Sequence, residues 1–240
     1  GLNSKMQAKV VKKLITGEPM TADRKMRDTV SFRFQGPILM TVNALPEAKD
    51  ATHALYGRCV VLTLERQFSE ADAVRDLEGH RNIIDMLVAR KEFPGILNWA
   101  LRGLARVLEA EKLPDVTEAV DAANAWREEN DPVYAFLREH CEFDAGVMNY
   151  QVPVSAAISV YAEMQHADRT YTPRRVRTLL GREARNVVPG VQIAASTFAK
   201  TQVRAMHGLR LNDAGASYIQ KAREKGILGN EQWPVNQKVL

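Results

Sequence analysis

Between Val152 and Lys225 the sequence prescribes an order of elements that few folds accommodate: helix, arginine-rich helix, two strands, helix. Val154, Ile158, Tyr161 and Met164 fall on one side of residues 152–167, the signature of an amphipathic helix. Thr172 then precedes Pro173, an N-cap followed by the residue best suited to the first helical position. In the helix they open, Val176, Leu179 and Leu180 point to one side, and Arg174, Arg175, Arg177, Arg182 and Arg185 mostly to the other. Pro189-Gly190 ends it. Residues 191–196 and 199–211 read as strands, 213–225 as a last helix, and the stretch from 229 on, aperiodic and containing Pro234, as a loose extension.

This order is that of a winged helix, whose second helix enters the major groove of duplex DNA. Five arginines within twelve residues, with Glu183 the one acid, suit bidentate contacts to phosphates or guanines better than lysines would. The plainer reading is a solvated helix face. DNA contact is expected for Arg174, Arg175, Arg177, Arg182 and Arg185, with Lys200 and Arg204 on the wing.

The net charge of +4 conceals a segregation. Basic residues outnumber acidic ones 11 to 6 in residues 1–66 and 13 to 6 in 149–240, while 67–148 carry 9 against 17. Basic ends suggest a polyanionic partner. The acidic middle reads most simply as solvated helix faces, with a protein-binding surface as a remote alternative. Cys59 and Cys141 lack metal-ligand spacing and are expected to be buried free thiols in a reducing compartment, so a cytoplasmic location is anticipated. No apolar run reaches the length of a membrane span.

Two continuous apolar runs, Ile38 to Val42 and Cys59 to Leu64, predict buried parallel strands. Asn43 ends the first and Arg58 heads the second, with Leu45-Pro46 and Asp50 between them. Ahead of them, 4–16 read as a helix capped by Ser4 and stopped by Gly17. Val30, Phe32 and Phe34 share one face of a strand in a hairpin with its cationic tip at Arg24 to Asp28. Residues 69–143 read as helical, with Ser69 and Asp72 as a capping signal and breaks at Pro94, Pro114 and Pro132. The stripe Ile96, Leu97, Ala100, Leu101, Leu104, Val107 and Leu108 marks a core helix, and Trp99 and Trp126 read as packing residues.

The segment Asn43, Leu45-Pro46, Asp50, Arg58, together with Pro94-Gly-Ile-Leu-Asn-Trp-Ala-Leu101, resembles the end of the ATPase core of phage and plasmid primase–helicases. These are superfamily III DNA helicases of the AAA+ class. The resemblance covers about the first two-thirds of the chain. Thr52-His53 replaces the Ser-Gly common in relatives, and Gly36-Pro37 stands where a lysine is frequent. It implies that Asn43 is the sensor of the γ-phosphate and Arg58 the arginine finger, with Arg66 a second candidate. The bland alternatives are an Asn capping a turn and a surface Arg. It further implies that Arg24, Lys25 and Arg27 line the channel of a ring, a hexamer, and grip single-stranded DNA; otherwise they form a solvated basic turn.

Residues 11–18 resemble the helix that follows the Walker B acids, and no Gly-x-x-x-x-Gly-Lys-Ser/Thr occurs in the chain. The phosphate-binding loop and the residues holding Mg²⁺ are therefore expected upstream, in a longer parent enzyme, and no ATP turnover is expected of this chain alone. The expected fold is α/β plus mainly α, in four parts. They are the end of an AAA+ core with a partial parallel sheet and β-hairpin (1–68), a helical block (69–148), a winged helix (149–228) and a tail (229–240). A linker is expected at 144–151. The expected function is an ATP-dependent DNA helicase with a DNA-binding winged helix; the alternative is a non-catalytic DNA-binding or assembly module reading an origin or operator.

Overall fold

The computed structural model describes residues 8–25, 27–46, 53–65, 83–114, 116–165, 171–229 and 231–239. The fold is mixed α/β with small antiparallel sheets. The chain divides into two compact units, one of residues 1–59 and 124–240, the other of 60–123. Ser4, Asp50, Thr52, Arg66, Ser69 and Asp72 lie outside the described residues, as do the side chains of Arg24 and Arg27.

In the larger unit, α1 (Ala8–Thr16) leads into β1 (Met20–Arg24) and β2 (Arg27–Phe32). The two strands pair antiparallel, Met20 opposite Phe32 and Arg24 opposite Arg27, so the expected hairpin with its basic tip is present. Thr29 Oγ1 donates to Asp23 Oδ1 across it at 2.9 Å.

The expected parallel strands are not. Residues 33–46 and 59–65 run without regular structure, with α2 (His53–Tyr56) ahead of the second stretch, and Leu39, Val60, Leu62 and Leu64 are exposed. Parallel strands are stable when ladder partners and covering layers bury both faces. Among the described residues neither run has a ladder partner. Pro46 and Tyr56 are held through Trp126, whose Nε1 donates to Pro46 O at 2.9 Å and whose ring meets Tyr56 edge-on at 5.0 Å.

The smaller unit contains α3 (Ile83–Ala89), α4 (Phe93–Ala110) and the first half of α5 (Thr117–Asn130). Pro94 lies in the first turn of α4, as read. The apolar stripe does not behave as core: Leu97, Leu101, Leu104 and Leu108 are all more than half exposed, as is Trp99. Among the described residues nothing covers this face. Trp126, by contrast, is packed as expected, 4% exposed.

The second half of α5 leads into the main core. Then come α6 (Pro132–His140), β3 (Cys141–Tyr150), α7 (Gln151–Gln165), α8 (Pro173–Val187), β4 (Gln192–Phe198), β5 (Thr201–Leu211), α9 (Asp213–Glu224) and β6 (Gln237–Lys238). Both α6 and α8 begin as their sequences dictate. Asp131 accepts from the amides of Val133 and Tyr134 ahead of Pro132, and Thr172 Oγ1 accepts from Arg175 N ahead of Pro173. The helix α7 is buried on nearly every side from Gln151 to Ala162, because α6, α8, α9 and the sheet all pack on it. Such a helix shows no amphipathic pattern. Val154, Ile158, Leu180, Met206, Leu209 and Ile219 anchor the core.

The sheet order is β4-β5-β3-β6, all antiparallel. Two expectations give way here. Residues 144–151 are not a linker: they complete β3 and begin α7, so the expected boundary at 148 falls inside a strand. Nor is the stretch after 229 loose. Trp233 stacks on Phe198 at 4.1 Å, and β6 pairs with β3, Val147 opposite Lys238. Between them, Asn236 exchanges hydrogen bonds with Asn149 and with both backbone groups of Leu211, all at 2.7–2.8 Å. This binds the tail to a place where the β3–β5 ladder is irregular, between Phe143 and Met148. Lack of periodicity signalled no helix; it said nothing of docking.

At that irregularity Gly208 adopts φ +81°, with the Phe143 ring 2.5 Å from where a Cβ would lie. Phe143 is half exposed and can rotate away, but no rotation relieves the backbone. Gly208→Ala is expected to destabilise the fold by about 1–3 kcal/mol, read as a lower urea midpoint with an unchanged m-value.

Candidate nucleic-acid interface

One face of α8 carries the site. Val176, Leu180, Glu183 and Ala184 point into the core at helical spacing, which turns Arg174, Arg177, Arg182 and Arg185 to the surface. β5 packs beside them and adds Arg204. Together they line an open groove of about 720 Å³, with Gln151, Thr178, Gly181 and Asn186 completing its wall. Gln151 Nε2 donates to Arg177 O at 2.9 Å, tying the start of α7 to the middle of α8.

Five guanidinium groups around one groove make a strongly positive concavity. Among the described residues, Arg174, Arg177, Arg185 and Arg204 have no carboxylate within ion-pair distance. The Nε atoms of Arg177 and Arg185 reach only backbone carbonyls one turn back, Pro173 O at 3.4 Å and Gly181 O at 3.3 Å. Such an array has the charge that would favour a polyanion through release of its counterions.

Arg182 differs. Its Nε and Nη2 both lie 3.1 Å from Oε1 of Glu183. Glu183 is 2% exposed, and its other oxygen accepts from Arg127 Nη2 at 2.6 Å. Arg127 is itself buried: its guanidinium lies 3.8 Å from the centre of the Tyr134 ring and 5.5 Å from that of Tyr56. A carboxylate this deep is tolerated because both oxygens meet cations. Asp131 stands 3.7 Å from Arg127. Burial raises the Asp131 carboxyl above its ordinary value of 3.8, partly offset by the Tyr134 amide and by Arg127. Burial also pushes both Cys59 and Cys141 thiols up, and both are free.

Of the residues singled out in the sequence, the groove gathers Arg174, Arg177, Arg182, Arg185 and Arg204. It does not gather Arg175, which turns over the Tyr171 ring at 5.4 Å, or Lys200, exposed at the β4–β5 tip. Ala199 and Lys200 both have positive φ, 47° and 69°, the conformation of a two-residue type I′ hairpin. Lys25 is exposed at the turn of the first hairpin.

Asn43 is exposed in the irregular stretch after β2, and Arg58 in the turn closing α2, its amide donating to Leu55 O at 3.0 Å. Among the described residues both candidates lie outside any strand end, and the chain carries no Gly-x-x-x-x-Gly-Lys-Ser/Thr motif. Among the described residues, no three His, Cys, Asp or Glu side chains gather to hold a metal.

Sequence reasoning missed Arg127, because it sits in an acidic helix that reads as solvated. Its signal was Glu183, the lone acid of α8, placed three residues after Leu180 on the inward face. Gln151, Thr178 and Asn186 gave no signal. No protein-family profile, curated protein or solved structure matches the chain.

Arg127→Ala leaves Glu183 buried with only Arg182 for a partner, and is expected to cost about 3–5 kcal/mol in chemical denaturation. Replacing both partners, Arg127→Met with Glu183→Met, should recover most of it. Asp131 has a pH signature. Its raised pKa means its contribution to stability is full below pH 3.8 and declines as pH rises through the folded-state value. Asp131→Asn keeps an N-cap of equal quality. Urea melts should therefore show the variant gaining on the natural chain between pH 4 and neutrality.

Proposed function

We propose that this chain is the DNA-binding part of an ATP-dependent DNA helicase of the phage and plasmid primase–helicase type, with residues 132–238 forming a winged helix on duplex DNA. The observation that carries the DNA reading is the groove of five arginines along α8 and β5. The element order α6-β3-α7-α8-β4-β5, with β5 paired between β4 and β3, fits a winged helix in which α8 is the recognition helix. In this reading Lys200 at the hairpin tip reaches an adjacent stretch of backbone. The assignment to a replicative helicase rests on the sequence resemblance. In the parent, a cytoplasmic hexameric ring, ATP and Mg²⁺ would act at subunit interfaces with Asn43 as sensor and Arg58 in trans. Arg24, Lys25 and Arg27 of the first hairpin would contact the translocating single strand.

A second reading, a non-catalytic DNA-binding or assembly module, is favoured by one observation: among the described residues, 33–46 and 59–65 form no strands. Arg58→Ala in the parent separates the two. It abolishes ATP turnover while sparing nucleotide binding if the helicase reading holds, and changes neither if the module reading holds.

Fluorescence anisotropy with duplex DNA across a salt series tests the interface itself. Binding is expected to weaken steeply with salt. Replacing Arg174, Arg177 and Arg185 by Ala should reduce the log–log slope by about 0.9 for each phosphate that is no longer neutralised. No binding at low salt would overturn the reading.

A further inference from the structure

The five arginines of the groove are not equivalent, and their difference assigns them separate tasks. Four have no carboxylate partner among the described residues, so their guanidinium groups are free to follow a phosphate wherever the backbone runs. Arg182 is held. Nε donates to Glu183 Oε1 at 3.1 Å, and Nη2 lies at the same distance from that oxygen in an ion pair, although the side chain is 55% exposed. Glu183 cannot follow if Arg182 moves, because it is buried in α8 and its second oxygen is fixed by Arg127.

A guanidinium carries five N–H groups in one plane. With the Nε edge facing the carboxylate, the end-on pair formed by Nη1 and Nη2 is left for another partner. That pair is a fork of fixed direction, and its spacing matches the O6 and N7 acceptors on the major-groove edge of guanine. Phosphate attraction needs charge and tolerates motion; base reading needs direction. Only Arg182 among the five has its direction set by a buried group. Its neighbours one turn away on α8, Thr178 and Asn186, are uncharged and line the same groove, so no like charge crowds the fork from those positions.

We propose that Arg182 is the sequence-reading residue of the groove, its end-on fork directed at a guanine, with Glu183 as the positioning residue behind it. The other four arginines anchor phosphates. The proposal rests on the duplex-DNA reading above and goes beyond it, since a basic groove by itself predicts affinity without sequence choice.

Selection of duplexes from a randomised library by the 240-residue chain, followed by anisotropy on selected and scrambled duplexes, provides the test. The natural chain is expected to enrich a site with a guanine at one position. Arg182→Lys keeps the charge and removes the fork. It should lower discrimination at that position at least about fivefold, the low end of a bidentate arginine–guanine contact, with the salt slope unchanged. Arg185→Lys should leave the preference intact. Glu183→Gln, checked for native near-UV circular dichroism, should flatten the same position. A preference unaltered by Arg182→Lys would overturn the assignment, as would enrichment of no sequence by a chain that still binds duplexes. In both of those cases the DNA interface itself stands. Failure to bind any duplex at low salt would instead overturn the interface, and this assignment with it.

Discussion

A single buried carboxylate organises the working half of the molecule. Glu183 lies on the inward face of α8, where an isolated charge would be prohibitively unfavourable. Its two oxygens require two cations, and the fold supplies one from each direction: Arg127 from beneath and Arg182 from the surface. Arg127 must in turn be enclosed, which the Tyr134 and Tyr56 rings achieve. The inward turn of Glu183 on α8, the placement of Arg127 on α5 and the packing of Tyr56 against Trp126 all meet that requirement. Apolar burial of Val176, Leu180 and Ala184 supplies attraction. The ion pair adds direction, since a charge pair tolerates less slippage than a methyl contact.

The rest of the C-terminal part is a balance between a helix with no exposed side and a sheet with an exposed edge. α7 is wrapped by three helices and the sheet. β3, next to it, would present an open ladder on the side away from β5. β6 fills part of that edge, fastened by the Asn149–Asn236 exchange and by the Trp233 stack on Phe198. Unpaired strand edges invite association with other chains, so this short pairing is protective as well as structural.

Legibility from sequence followed the range of the interactions involved. Where local chemistry decides, as with Thr172-Pro173 opening α8 or Pro189-Gly190 closing it, elements were readable to within a residue or two. The second hairpin was readable for the same reason. Where partners distant in sequence decide, the reading failed. Ile38 to Val42 has the composition of a buried strand, yet a strand needs a neighbour, and composition cannot supply one. The stripe on α4 is amphipathic as read, but periodicity shows which side seeks cover, not whether cover arrives. Asn236 gave no sign of its role, because that role depends on an irregularity in a ladder about 90 residues away. The groove was largely legible: the arginines announced a face and Arg204 was expected beside it, while the exclusion of Arg175 follows from its place over the Tyr171 ring.

The cationic lining of the groove is entirely arginine. A guanidinium keeps its proton at every pH at which a protein stays folded, and it is not a substrate for the acylation that silences lysine. The positive charge of the groove is thus permanent. Ionic strength can screen it, but neither acidity nor lysine acetylation removes it.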